Sequence, residues 1–348
     1  MKTCLLRTPA AVLPIAVVVA VLLAGCGAAG DGTPRDGATN AAAEADSQSA
    51  APLELKVVVD GWMRPEVAGL LMAEARGYFR EAGLKVSLGV PWHPRRAVPY
   101  MTEKFLDIAV AQEPQVVIAK SSGAPLVILG SLIAQPTEAM IWLRGSRISS
   151  VADLKGKTVA YPGIPYQKKF LQKALEHAGL TLKDVNLDQV GYELIPTLLK
   201  HTADAAFGGW ENLDGAELEA RGAEPVMTGV RSLGIQDYEQ LVVAARSDFV
   251  AQHPEAIEGF MSAVARGTAT AQQHPREALK VVEEAVEGDI DATRAGTEAQ
   301  IKATLPLLAP GDPMDLDRAQ SLIDWMAKEK MIAKPFSADT LLPEGAGG

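Results

Sequence analysis

Short runs of β-branched and apolar residues alternate with segments of helical periodicity from Leu53 onward, and this alternation most constrains the fold. Val57-Val58-Val59 is typical of a buried strand, and apolar residues then recur at helical spacing between Val67 and Tyr78. Further strand-like runs lie at 84–86, 108–110 and 127–129. Strands that alternate with helices predict an α/β fold with a mostly parallel sheet.

The same alternation begins again at residue 139 and predicts a second, smaller lobe, in which Gly179 closes a helix. We predict that residues 53–136 plus 237–348 form lobe one and that 137–236 form lobe two. The chain then crosses twice between the lobes, which makes a hinge with a cleft beside it. Such clefts favour small-molecule sites, and hinge closure around a ligand is the expected motion.

The first residues predict export. Lys2 and Arg7 precede an apolar run over 10–23, which is shorter than the ~20 residues that a membrane-spanning helix needs. Leu23-Ala24-Gly25-Cys26 then matches the cleavage and lipidation signal of bacterial lipoproteins. We predict a signal peptide over 1–25 and a lipid on Cys26 that anchors the exported chain to the cell membrane. An ordinary signal peptide with a chance cysteine is the alternative.

Residues 26–52 join the predicted lipidated cysteine to a segment of small and polar residues. Such a segment cannot bury a core, and we predict a flexible tether. The chain has two cysteines, Cys4 and Cys26. With one in the signal peptide and the other lipidated, the folded part has no thiol for a disulfide, a nucleophile or a metal ligand.

The net charge of −10 makes nucleic acid an unsuitable partner. No two histidines have metal-ligand spacing, and no zinc-protease, serine-hydrolase or phosphate-loop motif occurs in the sequence. We therefore predict a chain without a metal, a cofactor or enzymatic activity, and we expect a monomer whose cleft binds a small molecule. An exported enzyme and a sensor that signals to a membrane kinase are alternatives on the same scaffold.

Two segments resemble the type II periplasmic binding proteins. Residues 77–86, GYFREAGLKV, are similar to the first helix-to-strand passage of that family, and 153–159, DLKGKTV, to the start of its second lobe. The resemblance extends over most of residues 53–290. It implies a two-lobed solute-binding lipoprotein of an ABC importer, which delivers a small molecule to a permease and its ATPase.

Four further segments resemble the binders of thiamine pyrimidine precursors, namely 60–70, 160–165, Trp210-Glu211-Asn212 and 234–242. This resemblance implies a small heteroaromatic ligand, and it extends to binders of riboflavin and, more distantly, of aliphatic sulfonates and taurine. Gly61 stands where those relatives have a tryptophan, and Val67 stands where they have a histidine. The lobe-one half of the pocket differs from theirs, so these other ligands stay open as alternatives.

A flat heteroaromatic ligand needs rings to stack on and polar groups at its edge. Trp210 offers a large face, Glu211 accepts hydrogen bonds, and Asn212 both donates and accepts them. Gly208 and Gly209 allow the backbone to approach the ligand closely. The alternative is a tryptophan that packs at the lobe boundary and a glutamate that caps the next helix.

Asp60 and Trp62 follow the first predicted strand, and Glu113 follows the strand at 108–110. Tyr161 and Tyr166 flank a loop that contains Gly163 and precedes a helix, where free N–H groups favour an anionic or carbonyl edge of a ligand. For these two tyrosines, an ordinary surface position is the alternative. Arg95 and Arg96 form a basic cluster that either pairs with an anion or lies in a solvated loop. The predicted ligand-binding residues are Asp60, Trp62, Glu113, Tyr161, Gly163, Tyr166, Trp210, Glu211, Asn212 and Tyr238.

Overall fold

The computed structural model describes residues 51–91, 96–286 and 293–345, and the predicted signal peptide and Cys26 lie outside these ranges. The strands are β1 (Leu53–Val59), β2 (Leu84–Gly89), β3 (Ile108–Ala111), β4 (Leu126–Ile133), β5 (Glu138–Leu143), β6 (Thr158–Tyr161), β7 (Asn186–Gln189), β8 (Ala205–Trp210), β9 (Pro225–Gly229), β10 (Leu241–Arg246) and β11 (Leu308–Asp312). They form a six-stranded sheet in the order β11-β4-β10-β3-β1-β2 and a five-stranded sheet in the order β7-β6-β8-β5-β9.

Helices surround both sheets. They are α1 (Ala68–Ala75), α2 (Tyr78–Glu81), α3 (Ala97–Thr102), α4 (Glu113–Ser121), α5 (Pro165–His177), α6 (Leu194–Leu199), α7 (Ala216–Ala220), α8 (Ser247–Gln252), α9 (Pro254–Gln273), α10 (Pro275–Ala285), α11 (Arg294–Thr304) and α12 (Leu316–Lys328). A π-helical turn, Glu211–Gly215, joins β8 to α7. Among the described residues, no helix is both long enough and apolar enough to span a bilayer.

The α/β class is confirmed, whereas the prediction of mostly parallel sheets is wrong for β5 and β10, the two strands that follow a passage of the chain from one sheet to the other. β1 pairs in parallel with β2 and β3, and β6 pairs in parallel with β7 and β8. β10 runs antiparallel to β3 and β4, and β5 runs antiparallel to β8 and β9. Both strands enter their sheet directly from the other sheet. They need no helical crossover of the kind that a parallel connection requires.

We name the part around the six-stranded sheet lobe one and the part around the five-stranded sheet lobe two. The chain passes between the sheets at 134–137, from β4 to β5, and at 230–240, from β9 to β10. The predicted lobe boundaries fall within these two crossings and stay a prediction. Helix α12 contacts lobe two, because its Trp325 ring centroid lies 5.5 Å from that of Phe170 in α5.

The contact between α1 and α9 in lobe one depends on two glycines. A Cβ at Gly267 would overlap the carbonyl oxygen of Gly69, so neither backbone has room for a side chain. We expect Gly267→Ala to lower the free energy of unfolding by about 3 kcal/mol, measured by urea denaturation. Gly259→Ala on the same helix is the matched control, because its Cβ would lie 3.2 Å from Cβ of Ala82 and 3.7 Å from the carbonyl oxygen of that residue, without overlap. Equal losses in the two variants would contradict the close-packing argument.

Candidate ligand-binding cleft

A cleft of about 70 Å³ lies between the lobes, where the carboxyl ends of four strands meet. β1 and β3 end on the lobe-one side, and β6 and β8 end on the lobe-two side. Ligands of open α/β sheets bind at this edge of the strands. The polar and aromatic lining includes Asp60, Trp62, Arg64, Glu66 and Gln112 from lobe one, and Gln167, Tyr192, Trp210 and Asp214 from lobe two.

A β-bulge positions the end of β8 in the cleft. The pairing between β5 and β8 skips Gly208, which is an extra residue with a φ of +91° that favours glycine. A Cβ at Gly208 would contact the Gln167 side chain in the cleft. A Cβ at Gly209 would instead meet Ile141 of the neighbouring strand. Of the two glycines, Gly208 is therefore the one that allows close approach to the cleft.

Trp210 has two kinds of contact. Its side chain lines the cleft, and it also belongs to the apolar cluster of lobe one together with Val59 and Leu241. Its residue is 9% exposed, and its backbone N–H donates to Oδ2 of Asp214 at 2.7 Å. The Trp210 side chain therefore lines the cleft, as the stacking prediction requires, and also packs at the lobe boundary, as the alternative stated.

Two aromatic rings from opposite lobes meet at the cleft. Trp62 of lobe one and Tyr192 of lobe two have ring centroids 6.1 Å apart at an interplanar angle of 73°, an edge-to-face contact. Trp62 is 42% exposed, so its ring has a face available to solvent. Tyr192 was not predicted, although its place just after the strand-like run at 185–190 was a usable signal.

Several acceptor atoms of the cleft residues lack a hydrogen bond. Glu66 Oε2, Gln112 Oε1 and Gln167 Oε1 are buried without a partner in the described part of the chain. The carboxylate of Asp60 accepts a hydrogen bond from Nε2 of Gln115 at 2.9 Å. Buried acceptors in folded proteins are normally satisfied, so this cleft suits a ligand that donates several hydrogen bonds.

The charged groups of the cleft are mainly acidic. Asp60, Glu66 and Asp214 carry carboxyls, and Arg64 is the cation among the described lining residues. Burial raises the pKa of Glu66 to about 7, and the nearby Arg64 opposes that rise. Burial also raises the pKa of Asp214, against Arg64 and the N–H of Trp210. The cleft therefore favours a donor or a cation over an anion.

Tyr166 and Tyr238 were predicted to bind the ligand, but they lie buried at the hinge and outside the described cleft lining. Both hydroxyls donate to Oε2 of Glu138 at 3.0 Å. Gln240 Oε1 accepts the backbone N–H groups of Thr137 and Glu138 at 2.8 and 3.2 Å. Burial raises the pKa of Glu138 to about 7, and the two tyrosine hydroxyls oppose that rise. These bonds tie the two crossings to each other.

Glu113 was also predicted to bind the ligand, and it too lies at the hinge. Its carboxyl is buried and accepts the backbone N–H of Glu239 at 2.6 Å. Burial raises the pKa of Glu113 to about 8, which the Glu239 N–H opposes. Glu239 in turn pairs with Arg318 of α12 at 2.7 Å. We name Glu113, Glu138, Tyr166, Tyr238, Glu239 and Gln240 the hinge cluster.

The π-helical turn after Trp210 faces lobe one. Asn212 Nδ2 donates to Thr304 Oγ1 of α11 at 2.8 Å, and Gln300 of the same helix donates to the carbonyl of Leu213 at 3.3 Å. Asn212 therefore joins the lobes outside the cleft lining. Glu211 is exposed and is likewise absent from the lining.

The remaining candidates lie beside the cleft. The Tyr161 hydroxyl donates to Gln189 at 3.3 Å, and Gly163 has a φ of +81° in the loop that follows. Arg96 pairs with Glu103 at 3.0 Å, whereas Arg95 lies outside the described residues. No cluster of three or more His, Cys, Asp or Glu side chains in the described ranges is arranged to hold a metal ion.

Asp60, Trp62 and Trp210 are thus the predicted residues that the structure brings together in the cleft lining. Sequence reasoning missed Arg64 and Glu66, although both lie in the 60–70 segment that carried the resemblance. Gln167 and Asp214 gave no comparable signal, because their position in the cleft depends on the bulge and on the π-helical turn.

Comparison with known proteins places the chain in a wider context. Residues 64–278 match the model of a family described as NMT1/THI5 like. A Haemophilus influenzae protein whose name refers to thiamine biosynthesis is 29% identical over 286 residues, covering 82% of this chain and 90% of that protein. The formylaminopyrimidine-binding protein of Halalkalibacterium halodurans is 26% identical over 290 residues, covering 82% and 88%.

Other relatives have the names of enzymes. The 4-amino-5-hydroxymethyl-2-methylpyrimidine phosphate synthase of Candida albicans is 27% identical over 218 residues, covering 60% of this chain and 64% of that protein. Among solved structures, the alkanesulfonate-binding protein SsuA of Xanthomonas axonopodis pv. citri superposes with a TM-score of 0.66 at 17% identity, covering 84% and 98%. The predicted periplasmic-binding-protein fold is thereby confirmed.

Proposed function

This chain belongs to the NMT1/THI5-like family, and from that premise we propose that it is a solute-binding protein for a small, amino-substituted heteroaromatic molecule. The proposed ligand class is that of the thiamine pyrimidine precursors, which the name of the Halalkalibacterium halodurans relative supports. The ligand ring lies against Trp210 and Trp62 in the cleft, and Asp60 accepts a hydrogen bond at its edge.

The observation that carries this proposal is the set of unpartnered acceptors beside an aromatic wall. Glu66 Oε2, Gln112 Oε1 and Gln167 Oε1 need donors, and ring amino groups supply them. A sulfonate supplies only acceptors, and it would meet three carboxyls with one arginine to balance them. The chemistry of the lining therefore favours the pyrimidine class over the sulfonate class, whose support is the shared fold.

The proposed role is capture for an ABC importer outside the cytoplasm. The periplasmic-binding-protein fold and the relative named as a formylaminopyrimidine-binding protein support this location. The predicted signal peptide over 1–25 and the predicted lipid on Cys26 complete the proposal, with 26–52 as the tether. The protein would act as a monomer that delivers its ligand to a permease with its ATPase.

Enzymatic activity is the second candidate function. Several relatives are named synthases, and Glu66 has the raised pKa that buried carboxyls of active sites often have. The Halalkalibacterium halodurans relative, which is named as a binding protein, covers 82% of this chain, however, whereas the Candida albicans synthase covers 60%. We therefore propose binding without turnover, and mass spectrometry of a ligand recovered after incubation tests it.

A thermal-shift panel tests the proposed ligand class. The probes are 4-amino-5-hydroxymethyl-2-methylpyrimidine, its formylamino analogue, riboflavin, taurine and an alkanesulfonate. A ligand that binds only the folded state at a hundred times its Kd raises stability by about 2.7 kcal/mol, so we expect an increase in Tm on the order of 5 °C for an aminopyrimidine. A shift with taurine or the sulfonate alone would overturn the proposal.

A further inference from the structure

Glu66 is a buried carboxyl for which the described protein offers little compensation. It lies in a short 3₁₀ turn, Pro65–Val67, directly before α1, and its residue is 7% exposed. Its side chain lines the cleft, and its Oε2 atom has no hydrogen-bond partner in the described ranges. An unsatisfied buried polar atom is costly and needs an explanation, and at the wall of a cleft a ligand that forms a hydrogen bond with it is one.

The surroundings of Glu66 suggest which partner fits. Burial raises its pKa to about 7, and the Asp214 carboxyl adds to that rise while Arg64 opposes it. A second acceptor, Gln112 Oε1, also lines the cleft without a partner. Because Glu66 Oε2 lies among other acceptors with one guanidinium nearby, it attracts a hydrogen-bond donor more strongly than it attracts an acceptor. An N–H group of a ligand supplies that donor.

We propose that Glu66 is a specificity-determining residue that accepts a hydrogen bond from an exocyclic amino group of the ring ligand. The inference rests on the proposed function, because it assigns one substituent of the ligand that the cleft binds. The ligand class is thereby narrowed to rings with at least one exocyclic N–H donor. Analogues without that donor leave Glu66 Oε2 unsatisfied in the complex.

The test compares ligands and variants together by isothermal titration calorimetry. The probes are 4-amino-5-hydroxymethyl-2-methylpyrimidine and its 4-dimethylamino and 4-desamino analogues. The wild-type protein should bind the amino compound about 10- to 100-fold more tightly than either analogue, since a site built for a donor rejects a ligand without one. Glu66→Met should reduce this preference to about threefold or less, and Glu66→Gln, which keeps an acceptor oxygen, should retain most of it.

Glu193→Gln is the matched control, because it removes an exposed carboxyl at the start of α6 without changing the described cleft lining. It should leave the preference unchanged. Equal binding of all three compounds to the wild type, or an unchanged preference in Glu66→Met, would overturn the role of Glu66 while leaving the proposed function intact. If none of the three compounds binds the wild type, the proposed function fails and this inference fails with it. Should Glu66→Met not fold, Glu66→Ala takes its place in the comparison, and equal binding of the three compounds to the wild type would still overturn the inference.

Discussion

Trp210→Ala is expected to abolish detectable ligand binding and to lower the free energy of unfolding by roughly 3–5 kcal/mol. The ring lines the cleft, so its removal takes away the stacking face. The same ring packs into the apolar cluster of lobe one beside Val59 and Leu241, so its removal also leaves a cavity. Titration calorimetry and urea denaturation of one preparation measure the two effects.

Two variants separate these contributions. Trp210→Phe keeps an aromatic face and should retain weakened binding. Trp325→Ala removes a tryptophan of α12 that contacts Phe170 and is outside the described cleft lining, so it should reduce stability while ligand affinity stays at the wild-type value. Wild-type affinity in the folded fraction of Trp210→Ala would show that the ring is core and has no role in binding.

Glu113→Gln is expected to remove much of the loss of stability that the wild-type protein shows as pH rises. Burial raises the pKa of Glu113 from 4.5 to about 8, so the folded state keeps a proton that the unfolded chain releases. The stability that this retained proton contributes is fully present below pH 4.5. It is lost as pH rises towards 8, by about 1.4 kcal/mol for each pH unit between those values. Glutamine resembles the protonated acid and still accepts the Glu239 N–H.

Urea denaturation at several pH values between 5 and 8.5 measures this effect. The wild type should lose on the order of 4 kcal/mol more than Glu113→Gln over this range. Burial raises the pKa of Glu138 to about 7, so a smaller loss of unfolding free energy with rising pH should remain in Glu113→Gln. Glu258→Gln, an exposed substitution on α9, should behave like the wild type. Parallel curves for the wild type and Glu113→Gln would show that Glu113 is not a protonated hinge residue.

The sequence predicted much of the fold because its strands and helices carry strong local patterns. The run at 57–59 lies within β1, and the helical spacing around Phe170 lies within α5. The short strands β9 and β11 were missed, because Pro225–Gly229 and Leu308–Asp312 lack a β-branched run. Their pairing with β5 and β4 depends on neighbours that are distant in sequence.

The site was less predictable, because a rim position in sequence does not fix the direction of a side chain. Tyr166 begins α5 beside the cleft, yet its hydroxyl turns to the buried Glu138. Asn212 follows Trp210 directly, but the π-helical turn directs it to Thr304. Glu66 was passed over because a carboxylate near a helix start is ordinarily read as a solvated charge. Its burial depends on the packing of its 3₁₀ turn against α11 and β4, which are distant in sequence.

The bonds between the π-helical turn and α11 have a kinetic consequence. Asn212 to Thr304 and Gln300 to Leu213 join the lobes away from the described cleft lining. If the lobes separate at this contact to release a ligand, these bonds break first, whichever ligand is bound. The dissociation rates of all ligands would then contain the same contribution from breaking these bonds, which lie outside the described cleft lining. Selectivity and release rate would thus be set by different parts of the molecule.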